Sequence, residues 1–153
     1  MKPTWIVAAD KVRARIFETS SNSDPLEEVK DFINPDGDKQ DHELLSDRPG
    51  RTHDSLGAGR HSMEPNTSPS KKITQLFIHE VMHYVETAHF NHKFDRLIIV
   101  AAPEILGALR AELSVSLARM VILEIAKDYS MLNPLELRAQ LPEHLFLTLE
   151  RES

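Results

Sequence analysis

The chain has 153 residues, no cysteine, and 24 acidic against 18 basic side chains, for a formal net charge of -6. That length suffices for one domain with a real core, and the lack of cysteine excludes disulfides, thiolate zinc sites and cysteine nucleophiles. The acidic balance excludes a chain coated in basic residues for bulk nucleic-acid binding, so any anion-binding surface has to be local. The opening MKPTWIVAAD carries an apolar run too short for a signal h-region or a membrane span. Together with the missing cysteines, which suit a reducing compartment, this reads as a cytoplasmic protein with no membrane span.

TWIVAA, at residues 4–9, is a continuous run of β-formers, the pattern of a strand covered on both faces. Asp10-Lys11 then turns the chain into VRARIFE, where Val12, Ala14 and Ile16 alternate with Arg13, Arg15 and Phe17. The period of two predicts a β-hairpin. Trp5 is most economically a core residue. PLEEVKDFI is a weaker third strand, closed by NPDGD at 34–38.

From Asp36 to about residue 70 apolar periodicity is lost, and a long Gly/Arg-rich loop is expected. Gly50, Gly57 and Gly59 fall here, together with Pro49, Pro65 and Pro69. DGDKQDHE, at 36–43, begins like a calcium-binding EF-hand loop but lacks the glycine at its sixth position, which favours a solvated acidic turn. From Asp47 to Lys72, Arg48, Arg51, Arg60, Lys71 and Lys72 outnumber Asp47, Asp54 and Glu64. Arginine forks match phosphate, and glycines let main-chain amides approach an anion closely. No aromatic side chain is present to stack on bases. The segment is therefore either a surface for a phosphate backbone or a solvated loop with incidental charge.

SPSKKITQLFIHEVMHYVETAHF predicts the longest helix, with Ser70 as its N-cap and Ile73, Phe77, Val81, Tyr84, Val85 and Ala88 along one face. Inside it lies His79-Glu80-x-x-His83, the H-E-x-x-H of zinc peptidases, in which Glu80 would be the general base. His89 stands where the longer metzincin pattern places a third ligand, but Glu86 replaces the glycine that ends the helix and returns the chain to the metal. Glutamate favours continuing the helix, which would carry His89 about 15 Å from His79. Zinc holds its nitrogen ligands within about 2.1 Å, so the three imidazoles could not then share one ion. A carboxylate such as Glu104 or Glu112 is the remaining way to complete a zinc site. The preferred reading has no metal, no cofactor and no catalytic residues. A zinc hydrolase using His79, Glu80 and His83 is the alternative.

FDRLIIVAA reads as a buried strand, and Pro103 as the first residue of the helix PEILGALRAEL. MVILEIAKD suits a strand or a helix. NPLELRAQL is a helix capped by Asn133 and opened by Pro134. Asp10 and Asp128 suggest a pair of nuclease carboxylates, but two acids so far apart in sequence are weak grounds. No internal repeat or composition break marks a second domain, so residues 1–153 read as one. Strands first, then alternating helices and strands, predict an α/β fold with a mixed β-sheet and packed helices.

The order VAADKVRARIFE, LLSDRPGR, GAGRH, FDRLIIVAAPEILGALRAEL and EIAKDYSMLNPLELRAQL resembles the host-attachment protein family of bacteria, over roughly residues 3 to 145. The resemblance extends, more distantly, to the middle domain of archaeal and eukaryotic peptide-chain release factors. It implies a ribonuclease-H-like fold without nuclease activity. In the release factors the loop before the first long helix presents Gly-Gly-Gln to the ribosome; here Gly57-Ala58-Gly59-Arg60-His61 occupies that place, without glutamine. The departure removes the basis for peptide release and leaves RNA contact. The resulting expectation is a non-enzymatic protein that binds RNA or a ribosomal partner through Ser46, Asp47, Arg48, Arg51, Gly57, Gly59, Arg60 and His61. A protein partner in host attachment is the other possibility, and no small-molecule substrate is inferred.

Overall fold

The computed structural model describes residues 2–20, 25–46 and 68–142. Strands β1 (Thr4–Ala9) and β2 (Arg13–Thr19) form the expected hairpin, and β3 (Glu27–Ile33) adds to it. Helices α1 (Asp41–Ser46) and α2 (Pro69–Phe90) follow. Strand β4 (Arg96–Ala101), helix α3 (Pro103–Ala111), the short helix α4 (Val115–Ala118), strand β5 (Val121–Ile125) and helix α5 (Pro134–Gln140) complete the described chain.

The strands form one sheet in the order β3-β2-β1-β4-β5. β1 is antiparallel to β2 and β2 to β3, whereas β1–β4 and β4–β5 are parallel. Only β2 therefore runs against the others. The α/β class and mixed sheet with packed helices expected from the sequence are what the structure shows.

Both faces of the central strands are covered, which explains why TWIVAA and RLIIVA are uninterrupted apolar runs. One face, with Val7, Ile16 and Ile99, packs against Ile78, Val81 and Val85 of α2 and Leu106 and Leu109 of α3. The other, with Ile6, Phe17, Ile98 and Val100, packs against Leu137 of α5 and Leu141. Trp5 is buried as expected, stacked on Phe94 with ring centroids 4.9 Å apart, and its indole N–H donates to Glu18 Oε2 at 2.9 Å. MVILEIAKD resolves in favour of a strand at 121–125. Asn133 caps α5 in a complete capping box with Glu136, and Pro134 is its first residue, both as predicted.

Four local expectations need correction. The stretch from 36 to 70 is not wholly without regular structure, because Asp41–Ser46 is a helix whose Leu44 is only 4% exposed. One buried leucine anchors this short helix, too little apolar signal to show a helical period. The N-cap of α2 is Ser68 rather than Ser70: Pro69 fixes the first helical φ, and Ser68 Oγ accepts from Lys71 N at 3.2 Å. The buried face of α2 includes Ile78 and Met82, while Ile73 and Tyr84 are half-buried, so the stripe is wider than the periodicity indicates. Arg15, which alternation alone would place in water, is 6% exposed.

Gly37 in the turn after β3 has a specific steric cause. A β-carbon there would lie 2.1 Å from the main-chain oxygen of Lys11, which also accepts from Asn34 Nδ2 at 2.9 Å. The turn is thereby pressed against the β1–β2 hairpin.

Candidate functional site

Parallel strands share their carboxyl ends, so the connections after β1, β4 and β5 emerge at one edge of the sheet. There the connection after β1 leads to β2 on one side and the connection after β4 leads toward β5 on the other, the kind of switch point where open α/β sheets bind ligands. β3 ends at the same edge and leads into α1. α2 must then run back toward the start of β4, so its N-terminus also lies at this edge.

The described residues show how the arginine-bearing segment is rooted. Asp41, the first residue of α1, accepts a hydrogen bond from the main-chain N–H of Ser70 at 2.8 Å. That bond, foremost, and further hydrogen bonding from the Ser70 and Ser68 side chains hold the Asp41 carboxyl below its usual value. It is the interaction expected of an anion at the positive pole of a helix. The bond thus ties the first residue of α1 to the first turn of α2. Asp47, Arg48, Arg51, Gly57, Gly59, Arg60 and His61 lie outside the described residues.

Lys71 and Lys72 project as exposed side chains from the first turn of α2, which contains no acidic residue. Two lysines at that end oppose the helix dipole, so their placement is not explained by helix stability. Beside them a groove of about 380 Å³ runs between α2 and α3, lined by Lys71, Thr74, Gln75, Glu104, Gly107 and Ala108 among others. At Gly107 an added β-carbon would meet nothing within 4 Å, so the floor of the groove is open there.

His79, Glu80 and His83 of the H-E-x-x-H stretch are exposed, while Val81 and Met82 between them are buried. The helix continues without a break to Phe90, as the glutamate at 86 predicts, and His89 is ten residues beyond His79, about 15 Å along the axis. Glu86 instead braces a neighbouring helix. Its Oε2 accepts from Ser114 N and its Oε1 from Ser114 Oγ, each at 3.0 Å, which fixes the residue that caps α4. His89 Nε2 meets Ser116 Oγ at 2.7 Å. Of the two carboxylates that could complete a zinc site, Glu112 reaches His79, with Oε1 2.8 Å from Nδ1, and Glu104 lines the α2–α3 groove. Among the described residues no three His, Cys, Asp or Glu side chains are grouped to hold a metal ion. A zinc peptidase site on His79, His83 and His89 is therefore not assembled, because a straight helix separates the ligands.

Asp10 and Asp128, distant in sequence, are brought together. The Ser130 hydroxyl lies 2.9 Å from Asp10 Oδ2 and 2.7 Å from Asp128 Oδ1. Both carboxylates also hold main chain: Asp10 Oδ1 accepts from Val12 N and Arg13 N, and Asp128 Oδ1 accepts from Ser130 N. Their evident work is to shape the β1–β2 turn and the loop after β5. Arg15 completes this corner, forking onto Glu28 at 2.8 and 3.1 Å and donating through Nη1 to the carbonyls of Ser130 and Leu132. Sequence reasoning missed this network because its partners are up to 120 residues apart.

A second surface also escaped it. At the other end of α2, Phe90 is 81% exposed and Val115 on α4 is 74% exposed. Phe90 flanks an open groove of about 710 Å³ that includes His83, Glu86, His89, His92 and Ser116. His92, just past the helix, takes a left-handed conformation with φ 58°.

No curated protein matches the chain. Among solved structures, an archaeal protein is similar with a TM-score of 0.48 and 12% identity over 98% of this chain and 38% of its own. The chain thus spans well under half the length of that protein. The model of the family described as "Protein required for attachment to host cells" matches residues 5–141, from the first strand to the end of the last described helix. By that match, the chain belongs to the host-attachment family.

Proposed function

We propose that this host-attachment family protein acts by binding rather than by catalysis, engaging RNA, free or within a ribosome, through the segment from Ser46 to His61 together with Lys71 and Lys72. The observation that carries the reading is the clamp between Asp41 and Ser70. It ties α1 to the positive pole of α2, the two described elements that precede and follow Arg48, Arg51 and Arg60 in the chain, beside two exposed lysines. The carboxyl edge of the sheet and the neighbouring α2–α3 groove support the same location. Such an encounter belongs to the cytoplasm and requires no cofactor.

Affinity built on phosphate contacts falls steeply with salt, by about 0.7 to 0.9 of a logarithmic unit per contact per tenfold rise. The triple variant Arg48→Ala/Arg51→Ala/Arg60→Ala is expected to weaken binding to RNA and to ribosomes and to flatten that slope by roughly two to three contacts. Ribosome co-sedimentation missing at low salt, or identical in the triple variant, would sink the reading.

A protein partner is the second reading, favoured by the exposed Phe90 and Val115. An isolated apolar side chain in water is unremarkable, but an aromatic one beside a groove is the usual form of an interface anchor. A partner captured equally well after nuclease treatment, and lost in Phe90→Asp, would favour this surface over the arginine segment.

A further inference from the structure

We propose that His79 and His83, one turn apart on the exposed side of α2, form a two-histidine site for a borderline divalent transition-metal ion, with Glu112 holding His79 in the tautomer that offers Nε2. The site is independent of the RNA reading. It uses the two histidines of the H-E-x-x-H motif but needs neither His89 nor a catalytic role for Glu80.

Three observations support it. Both imidazoles are exposed on one continuous helix, and residues four apart project from the same side, so the backbone places the two rings as neighbours on one surface. Glu112 Oε1 lies 2.8 Å from His79 Nδ1, close enough for Nδ1–H to donate to the carboxylate. The neutral ring then carries its lone pair on Nε2, and the carboxylate makes that nitrogen a better donor, the arrangement commonly found behind metal-bound histidines. Finally, His83 borders the open groove that continues toward Ser116, so the coordination positions not filled by protein face solvent. Water, or a side chain of a bound partner, can take them.

The donor set selects the metal. Neutral imidazole suits Zn²⁺, Ni²⁺ and Cu²⁺, whereas Mg²⁺ and Ca²⁺ require oxygen ligands. Two protein ligands give a weaker and more exchangeable site than a structural zinc centre, and the fold does not depend on it. Because the ligands must be unprotonated, affinity falls as the solution is acidified.

The test is calorimetric titration of the full chain, purified without a histidine tag, with Zn²⁺ and separately with Ni²⁺. One equivalent should bind, and an excess of Mg²⁺ should not displace it. His79→Ala and His83→Ala should each reduce affinity at least about tenfold. Glu112→Gln should reduce it by roughly tenfold while leaving the stoichiometry intact, the effect of losing a supporting carboxylate. His89→Ala and His92→Ala should leave it unchanged. None of these side chains is buried, and far-ultraviolet circular dichroism checks that each variant is folded. Binding unaffected by His79→Ala or His83→Ala, or abolished instead by His89→Ala or His92→Ala, overturns the site. Unchanged affinity in Glu112→Gln overturns the tautomer argument.

Discussion

Ser130 and Asp10 stand 120 residues apart in the chain, yet the serine hydroxyl lies 2.9 Å from Asp10 Oδ2 and is itself fully buried. One contact joins the first hairpin turn, beside the central strand, to the loop after the edge strand β5. Ser130→Ala removes the donor facing both Asp10 and Asp128. A loss of about 1–2 kcal/mol is expected, read as a lower urea midpoint with an unchanged slope. Unaltered stability would mean that the hydroxyl contributes nothing to closing this corner.

Arg15 should matter far more than its neighbour on the same strand, Arg13. Arg15 is buried against Glu28 and two carbonyls, whereas the Arg13–Asp31 pair, at 3.0 Å, lies in partly exposed surroundings. Removing Arg15 leaves the Ser130 and Leu132 carbonyls without their donor, while exposed Glu28 returns to water. Arg15→Ala should cost about 2–3 kcal/mol. Arg13→Ala should cost less than about 1 kcal/mol. Equal effects in chemical denaturation, followed through the single tryptophan, would contradict the burial argument.

The clamp at the root of the arginine segment should be acid-sensitive. The Asp41 carboxyl is held below its ordinary value chiefly by the Ser70 N–H. A depressed folded-state value means that the stabilisation is present above the unfolded carboxylate range, near ~3.9, and is lost as the pH falls through the lower folded-state value. The protection factor of the Ser70 amide in hydrogen exchange should therefore be steady at neutral pH and fall in strong acid. In Asp41→Asn it should be lower at neutral pH and lose most of that acid dependence. A Ser70 protection factor that ignores both acid and the substitution would show that the clamp does not persist in solution.

Much of the fold is legible in the sequence because local signals and tertiary demands agree. TWIVAA and RLIIVA are apolar on both sides because both sides are buried. Pro103, Asn133 and Pro134 mark helix starts because proline's fixed φ and a side-chain oxygen suit those positions wherever the helix packs. MVILEIAKD is ambiguous for the opposite reason. A short apolar run satisfies either period, and pairing with β4 decides for a strand.

By itself, the sequence determined the α/β class, the hairpin, the long unbroken helix and hence the separation of His79 from His89, since each follows from period, caps and propensity within a few turns of chain. It also carried the family, through segments spread from residue 5 to 141. Tertiary structure alone decided that Arg15 is buried, that Asp10, Asp128 and Ser130 meet, that Glu112 reaches His79, and that Asp41 ties α1 to the start of α2. Each of those is a directional contact between groups distant along the chain. Short-range patterns record how a segment folds onto its own axis, whereas such contacts depend on where the sheet brings separate segments together.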